Sequence, residues 1–323
     1  MAIWWMTEAL PLTATALLPF LLVPLFGVMP AADIAGEYYS PILFLLLGGA
    51  FLALAIERVG LHRRLAVAIL ALARPTAAGL LLAFMAATAL LSMFISNTST
   101  TLIMVPIALA VLAAGRVEDG ETRGFAGAVM MGIAFAASIG GLGTLVGSPT
   151  NAIAAGLIEK QLGLTISFLD WMRYGVPVVL LAIPAAMLIL MRVQRLDRDG
   201  FDAAGAAAAL GRNPPWSSAE GRVVPVLTLV FAAWVAQPWI EPLLPKGALT
   251  DGTIAIAGAL LLFVIPDGSG RPLLVWKEAD RAPWGVIMMF GGGLALAAAM
   301  TQSGLAAWLG NVLEPLGNLP LFL

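Results

Sequence analysis

Charged side chains divide this chain into long stretches that carry none. Uncharged runs occupy residues 9–32, 38–56, 75–115, 124–158, 174–191, 223–240, 252–266 and 282–313. A helix needs about 20 residues to cross a hydrocarbon core about 30 Å thick, and most of these runs approach or exceed that length. Backbone amides in hydrocarbon find no water, so such runs predict helices rather than open strands. The short alternating segments of a transmembrane barrel are not seen. The pattern predicts an all-α polytopic membrane protein.

Two runs are interrupted by polar or flexible residues. In 75–115, six hydroxyl or amide side chains follow one another from Ser96 to Thr101, with Ser92 one turn earlier. Such a cluster is costly in hydrocarbon unless partners or ligands satisfy it. Serine and threonine favour helix starts, so the cluster predicts a capped helix beginning near Thr98. Its exposed N–H groups and positive end would suit an anion. The second interruption, residues 140–151, holds Gly140, Gly141, Gly143, Gly147 and Pro149 within twelve positions. This density predicts an unwound helix. Unwound backbone at membrane depth is tolerated where it lines a cavity, and its carbonyls can coordinate a cation. Small-residue clusters also serve helix packing, which is the competing reading for each cluster alone. Sequence leaves open whether 75–115 is a re-entrant hairpin or two full spans, because Arg74 and Arg116 flank it either way.

Composition strengthens the membrane reading and removes several functions. Apolar residues make up 60% of the chain, against 45–50% in soluble domains, and only 11% are charged. Net charge is −2 with no basic tract, so no nucleic-acid partner is expected. Cysteine is absent, which excludes disulfides and thiolate chemistry. No charged n-region precedes the first apolar stretch, so no signal peptide is expected. The single histidine, His62, lies beside Arg63 and Arg64, and no acid lies deep in a run. Without an intramembrane carboxylate set, a membrane-embedded enzyme is not expected. Glu8 and Glu57 stand at span ends, where capping or interfacial roles suit them.

The basic residues orient the spans. Taking 10–28 as outward and 41–57 as inward, the remaining runs can be threaded so that only Lys160, Arg173 and Lys246 lie outside. The other fourteen of the seventeen basic residues, including Arg198 and Arg212, then lie inside. This asymmetry is what the positive-inside rule requires. Residues 195–221 form the longest polar interruption and are read as a cytoplasmic linker.

An internal similarity joins the two sides of that linker. Residues 48–65 match residues 292–309 at eight of eighteen positions. The adjacent glycines (Gly48-Gly49, Gly292-Gly293) and the later Gly-Leu pairs (Gly60-Leu61, Gly304-Leu305) stay in register. In the threading above, the first copy runs inward and the second outward. The expected organisation is therefore a first repeat over 1–194, the linker 195–221, and a second, incomplete repeat over 222–323. Inverted repeats with broken helices at the midplane are a secondary-transporter plan.

Ser96-Asn97-Thr98 followed by Ser99-Thr100-Thr101-Leu102-Ile103-Met104-Val105-Pro106 resembles the signature of the divalent anion–sodium symporter family. The opening Trp4-Trp5-Met6-Thr7-Glu8-Ala9-Leu10-Pro11 and the stretch from Gly140 to Asn151 resemble it too. The resemblance implies sodium-coupled uptake of di- or tricarboxylates, such as succinate, malate or citrate, across the cytoplasmic membrane. It places Ser96, Asn97 and Thr98 at the tip of a re-entrant hairpin holding a substrate carboxylate, with Ser148 beside the substrate. It gives sodium to Ser92, Ser96, Asn97, Gly143, Gly147 and Asn151. It further implies an elevator-like movement of the hairpin-bearing domain against a scaffold that dimerises. A second Ser-Asn-Thr, offset by 244 residues as residue 292 is from residue 48, falls near 340–342, beyond Leu323. On that reading the chain is a fragment lacking the first helix and half of the binding site. Arsenite export, metal–citrate import and an inactive remnant remain as alternatives.

Overall fold

A computed structural model describes residues 1–117, 121–196, 201–208, 210 and 213–313, without the side chains of residues 160 and 161. Arg198 and Arg212 of the linker therefore lie outside the described residues. The helices are α1 (Ala2–Thr7), α2 (Leu12–Thr15), α3 (Leu18–Leu25), α4 (Ala31–Glu37), α5 (Pro41–Val59), α6 (Leu61–Leu70), α7 (Ala77–Ser92), α8 (Asn97–Ala114) and α9 (Gly124–Gly141). They continue as α10 (Pro149–Leu162), α11 (Phe168–Val193), α12 (Ala203–Ala208), α13 (Ser218–Ile240), α14 (Asp251–Val264), α15 (Trp276–Ala279), α16 (Trp284–Gln302) and α17 (Leu305–Leu313). Among the described residues there is no β-strand, only one isolated bridge between Pro266 and Pro272. Six helices among the described residues are long and apolar enough to cross a membrane: α5, α8, α9, α11, α13 with the turn that extends it to Leu243, and α16. The all-α polytopic class is thereby established.

Helix starts follow capping chemistry that the sequence carries. Ser167 with Asp170 and Ser217 with Glu220 form reciprocal capping boxes at α11 and α13, and Thr250 with Thr253 does so at α14. The expected crossing at 10–28 differs. There the chain makes two short helices, α2 and α3, with Pro19 at the start of α3 and Pro24 inside it. Proline removes a backbone donor and clashes with the preceding turn, so the run does not form one straight rod.

The described residues form two compact units, one of residues 1–47 with those from 283 onward, the other of Gly48–Ala282. This division by packing differs from the division by sequence similarity at the 195–221 linker. In the first unit, α16 packs on α2, α3 and α4. Gly291 and Gly292 permit this approach: a Cβ at Gly292 would stand 2.3 Å from the Ala16 carbonyl oxygen. The Tyr38 hydroxyl donates to that same oxygen at 2.6 Å.

The second unit is built around α7, whose Leu80, Leu81, Phe84 and Met85 are fully buried. Its main partner is α9, which brings Phe125, Val129 and Ile133 to the core. Gly140 is the tightest point of that crossing, since a Cβ there would lie 2.3 Å from Ala89 O and 2.5 Å from Ala89 Cα. At the α5 end, the Arg58 guanidinium holds Asp267 at 2.9 Å and Glu278 at 3.2 Å, and donates to the carbonyls of Pro272 and Leu273. The Ser269 hydroxyl and N–H, with Arg58 beside them, keep the Asp267 carboxyl below the usual carboxylate range.

The described parts of the linker are folded onto this unit rather than free. Phe201 stacks on Phe125 with ring centroids 4.0 Å apart, in space that Gly115 leaves open. Residues 213–217 strap across Arg64, which pairs with Glu220 at 2.6 Å and donates to the carbonyls of Pro214 and Pro215. The polarity read as a tether thus serves specific bonds to a buried arginine.

The Gly140 crossing makes a prediction. Gly140→Ala should lower stability by about 1–3 kcal/mol, because the new methyl meets backbone that no rotamer change can move. Gly36→Ala, where nothing stands within 4 Å, should be neutral or slightly stabilising. Thermal unfolding of both variants in one detergent checks the contrast.

Candidate functional site

Both predicted interruptions occur, and they meet. The first is the break at residues 93–96 between α7 and α8. Ser96 caps α8, its hydroxyl accepting from the Ser99 N–H at 3.2 Å. The helix begins at Asn97, one residue earlier than expected, because the cap is the first serine of the cluster. The second break is narrower than the 140–151 expected: Gly140 and Gly141 finish α9, and Pro149 to Asn151 open α10, leaving 142–148 unwound. Proline at the first helical position needs no donor there, so Pro149 starts a helix rather than prolonging the break.

Four side chains lock the two breaks together. The Ser92 hydroxyl is 2.7 Å from both Asn97 Oδ1 and the Ala137 carbonyl, so α7, α8 and α9 share one hydroxyl. The Thr144 hydroxyl donates to Met93 O and accepts from the Gly147 N–H at 3.0 Å. Asn151, 3% exposed, donates its amide protons to Gly141 O at 2.7 Å and Thr144 O at 2.8 Å. The unwound segment is therefore a bonded structure, as buried backbone requires.

Glycine is needed where the breaks touch. A Cβ on Gly147 would lie 2.6 Å from Gly141 O and 3.0 Å from both Ser92 O and Met93 O. A Cβ on Gly141 would lie 2.8 Å from Asn97 Oδ1 and 3.3 Å from Gly147 O. Together with the Asn97 amide oxygen of α8, carbonyl oxygens from the ends of α7 and α9 thus converge on one small volume. These are helix C-termini, which carry negative partial charge, while α8 and α10 bring their positive N-termini to the same place. Among the described residues no group of three or more His, Cys, Asp or Glu could hold a metal. The donor set is neutral oxygen throughout, which suits a hard monovalent cation far better than a transition metal.

The candidate residues divide in two. Ser92, Gly143, Gly147 and Asn151 are buried, and Asn97 is half-buried among them. Gly143 faces the Met93 side chain rather than the oxygen cluster, a Cβ there meeting Met93 Cε at 2.3 Å. Ser96 and Thr98 are exposed on the first turn of α8, and half-exposed Ser148 bonds Thr150 at 2.8 Å. Thr144 and the Met93 carbonyl were not singled out from sequence. Thr144 stands inside the glycine-rich stretch, but nothing in a one-dimensional pattern shows which hydroxyl turns inward.

Interrupted helices that present opposite polar ends to one point are a feature of secondary-transporter folds. The comparisons with known proteins give the same class. The chain belongs to the citrate transporter family (CitMHS), whose sequence model matches residues 2–323. It is similar to the sodium-dependent dicarboxylate transporter SdcS of Staphylococcus aureus strain USA300, and to the proteins of the same name in strains bovine RF122 / ET3-1 and MSSA476. Each is 38% identical over 342 aligned residues, covering 98% of this chain and 64% of the relative. The chain thus spans 64% of the length of these relatives. These matches support the divalent anion–sodium symporter resemblance and a cell-membrane location, and the family description is that of a transporter.

The buried lock is testable without a transport assay. Asn151→Leu should cost about 1–3 kcal/mol, because it strips the donors from two buried carbonyls. Thr150→Ala, at an exposed position, should change stability by less than about 0.5 kcal/mol. Thermal unfolding in detergent would separate the two.

Proposed function

We propose that this protein is a secondary active transporter that couples sodium to the uptake of di- or tricarboxylates, and that the meeting point of the two broken helices is its site. The observation that carries the reading is the convergence of neutral oxygens and opposite helix ends without any fixed charge. Sodium would be held by oxygens of Ser92, Ser96 and Asn97 and of the Gly143, Gly147 and Asn151 segment. A substrate carboxylate would be held by Ser96, Asn97 and Thr98 at the α8 start, with Ser148 at the α10 start. A dianion facing only neutral donors gains from a cation bound beside it, so sodium binds first and raises anion affinity. The names of the relatives, sodium-dependent dicarboxylate transporters, support this assignment, and the family description, citrate transporter, supports the carboxylate class.

The geometry also favours the re-entrant form of the first break. Helix α7 has 16 residues, a rise of about 24 Å at 1.5 Å per residue, short of a core of about 30 Å. Helix α8, with 18 residues, is long enough to cross, so the support comes from α7 alone. A duplicated plan, 1–194 and 222–323 about the linker 195–221, is supported by matching local geometry. Nineteen-residue α5 and nineteen-residue α16 are each followed by a left-handed glycine, Gly60 at φ 80° and Gly304 at φ 75°, and then a further helix. Homodimerisation and elevator-like movement of the hairpin-bearing domain complete the reading.

Uptake of labelled succinate and citrate by proteoliposomes, with an inward sodium gradient or with potassium in its place, tests the coupling. Sodium should raise the initial rate at least tenfold; a rate indifferent to sodium would replace symport with exchange. Asn97→Ala should bring uptake to background while membrane insertion stays intact. Undiminished uptake in that variant would overturn the site.

A further inference from the structure

A cavity lies in the larger unit, away from the two breaks themselves. Its volume is about 950 Å³, within the range of pockets that enclose small amphiphilic ligands. Its walls come from the α5–α6 corner, one face of α8, and the strap at residues 213–217. Most of the lining is apolar, with Val59 and Val67 on one side and Ile103, Pro106 and Ile107 on the other. None of the candidate transport residues lines it.

The charges in this cavity are unequally matched. Arg64 and Glu220 both line it, but they neutralise one another in a buried pair at 2.6 Å. Arg64 is further occupied by two proline carbonyls and by the Trp216 ring, 4.5 Å from its guanidinium. Arg63, the other arginine of the lining, is exposed and makes no hydrogen bond or ion pair among the described residues. Among the described residues, the cavity therefore offers one positive charge without a partner, above an apolar wall. A small hydrophilic dianion would leave that wall in contact with water, whereas an anionic head on an acyl chain satisfies both parts.

The setting supports the same chemistry. Helix α6 buries Leu61, Arg64, Ala66 and Leu70 while exposing Arg63 and Leu65, and Leu72 just beyond it is 84% exposed. Exposed basic and apolar side chains about 200° apart around one short helix, as Arg63 and Leu65 are, suit a helix lying in the membrane interface. Its arginines belong to the side that the positive-inside rule assigns to the cytoplasm, where anionic lipid is met.

We propose that this cavity is a binding site for one anionic phospholipid, with the headgroup on Arg63 and an acyl chain along Ile103 and Ile107 of α8. Because α8 is the helix whose first turn carries Ser96, Asn97 and Thr98, the lipid would rest on the same rod as the candidate transport site. The lipid site stands independently of the transport reading.

The test uses the chain in phosphatidylcholine nanodiscs with a photoactivatable phosphatidylglycerol probe, followed by mapping of the labelled peptides. Labelling should concentrate on peptides spanning 59–67 and 103–111, and unlabelled phosphatidylglycerol should compete for it. Arg63→Gln should reduce labelling about fivefold, the effect of about 1 kcal/mol for one basic residue near an anionic surface. Ile107→Trp should reduce it further by filling the apolar wall, with thermal unfolding confirming that both variants are folded. Equal labelling by a phosphatidylcholine probe, or labelling unchanged in both variants, would overturn the proposal. Displacement of the probe by succinate or citrate would also overturn it, placing the cavity on a small-anion path. Asn97→Ala should leave labelling unchanged, so the two readings fail separately.

Discussion

Hydrocarbon gives an interrupted helix no water to fall back on, and the larger unit is organised around that constraint. Wherever α7 gives way to α8, or α9 to α10, freed backbone groups must find partners within the protein. Here each break supplies the partners of the other. The Ser92 hydroxyl serves the end of α9, Thr144 serves the end of α7, and Asn151 ties the unwound segment to both of its flanks. The two elements are coupled by their shared hydrogen bonds.

That coupling depends on small residues as much as on polar ones. Gly140 lets α9 approach the backbone of α7, and Gly141 and Gly147 let carbonyl oxygens crowd together without an intervening methyl. In lipid, where apolar burial gives helices little reason to associate, close approach and hydrogen bonding supply the attraction. The same residues that pack the helices thus create the convergence of oxygens on which the proposed sodium site rests.

Charge is handled at the margins. Arg58 and Arg64 are surrounded by carboxylates and carbonyls supplied by distant segments, so each arginine organises a loop rather than a site. The strap at 213–217 is a case in which polar composition suggested a tether, while its carbonyls and Glu220 hold a buried guanidinium. Arg63, one residue earlier and about 100° away around α6, is exposed and stays unpaired among the described residues.

The sequence by itself determined what depends on composition and local order. Long uncharged runs required helices in lipid, the Ser96–Thr101 cluster required a helix start, and the glycines of 140–147 required an interruption, because each follows from nearest-neighbour backbone chemistry. Tertiary structure alone decided which groups face one another. That Ser92 reaches Ala137, that Thr144 rather than a neighbouring hydroxyl turns inward, and that Gly143 packs on Met93 are contacts across tens of residues. The extent of the second break, 142–148, follows instead from local chemistry, because Pro149 at a first helical position needs no donor. A linear pattern carries the periodicity of each helix, but not the rotation and height at which two helices meet. Those are settled only when every buried donor and acceptor must be satisfied at once.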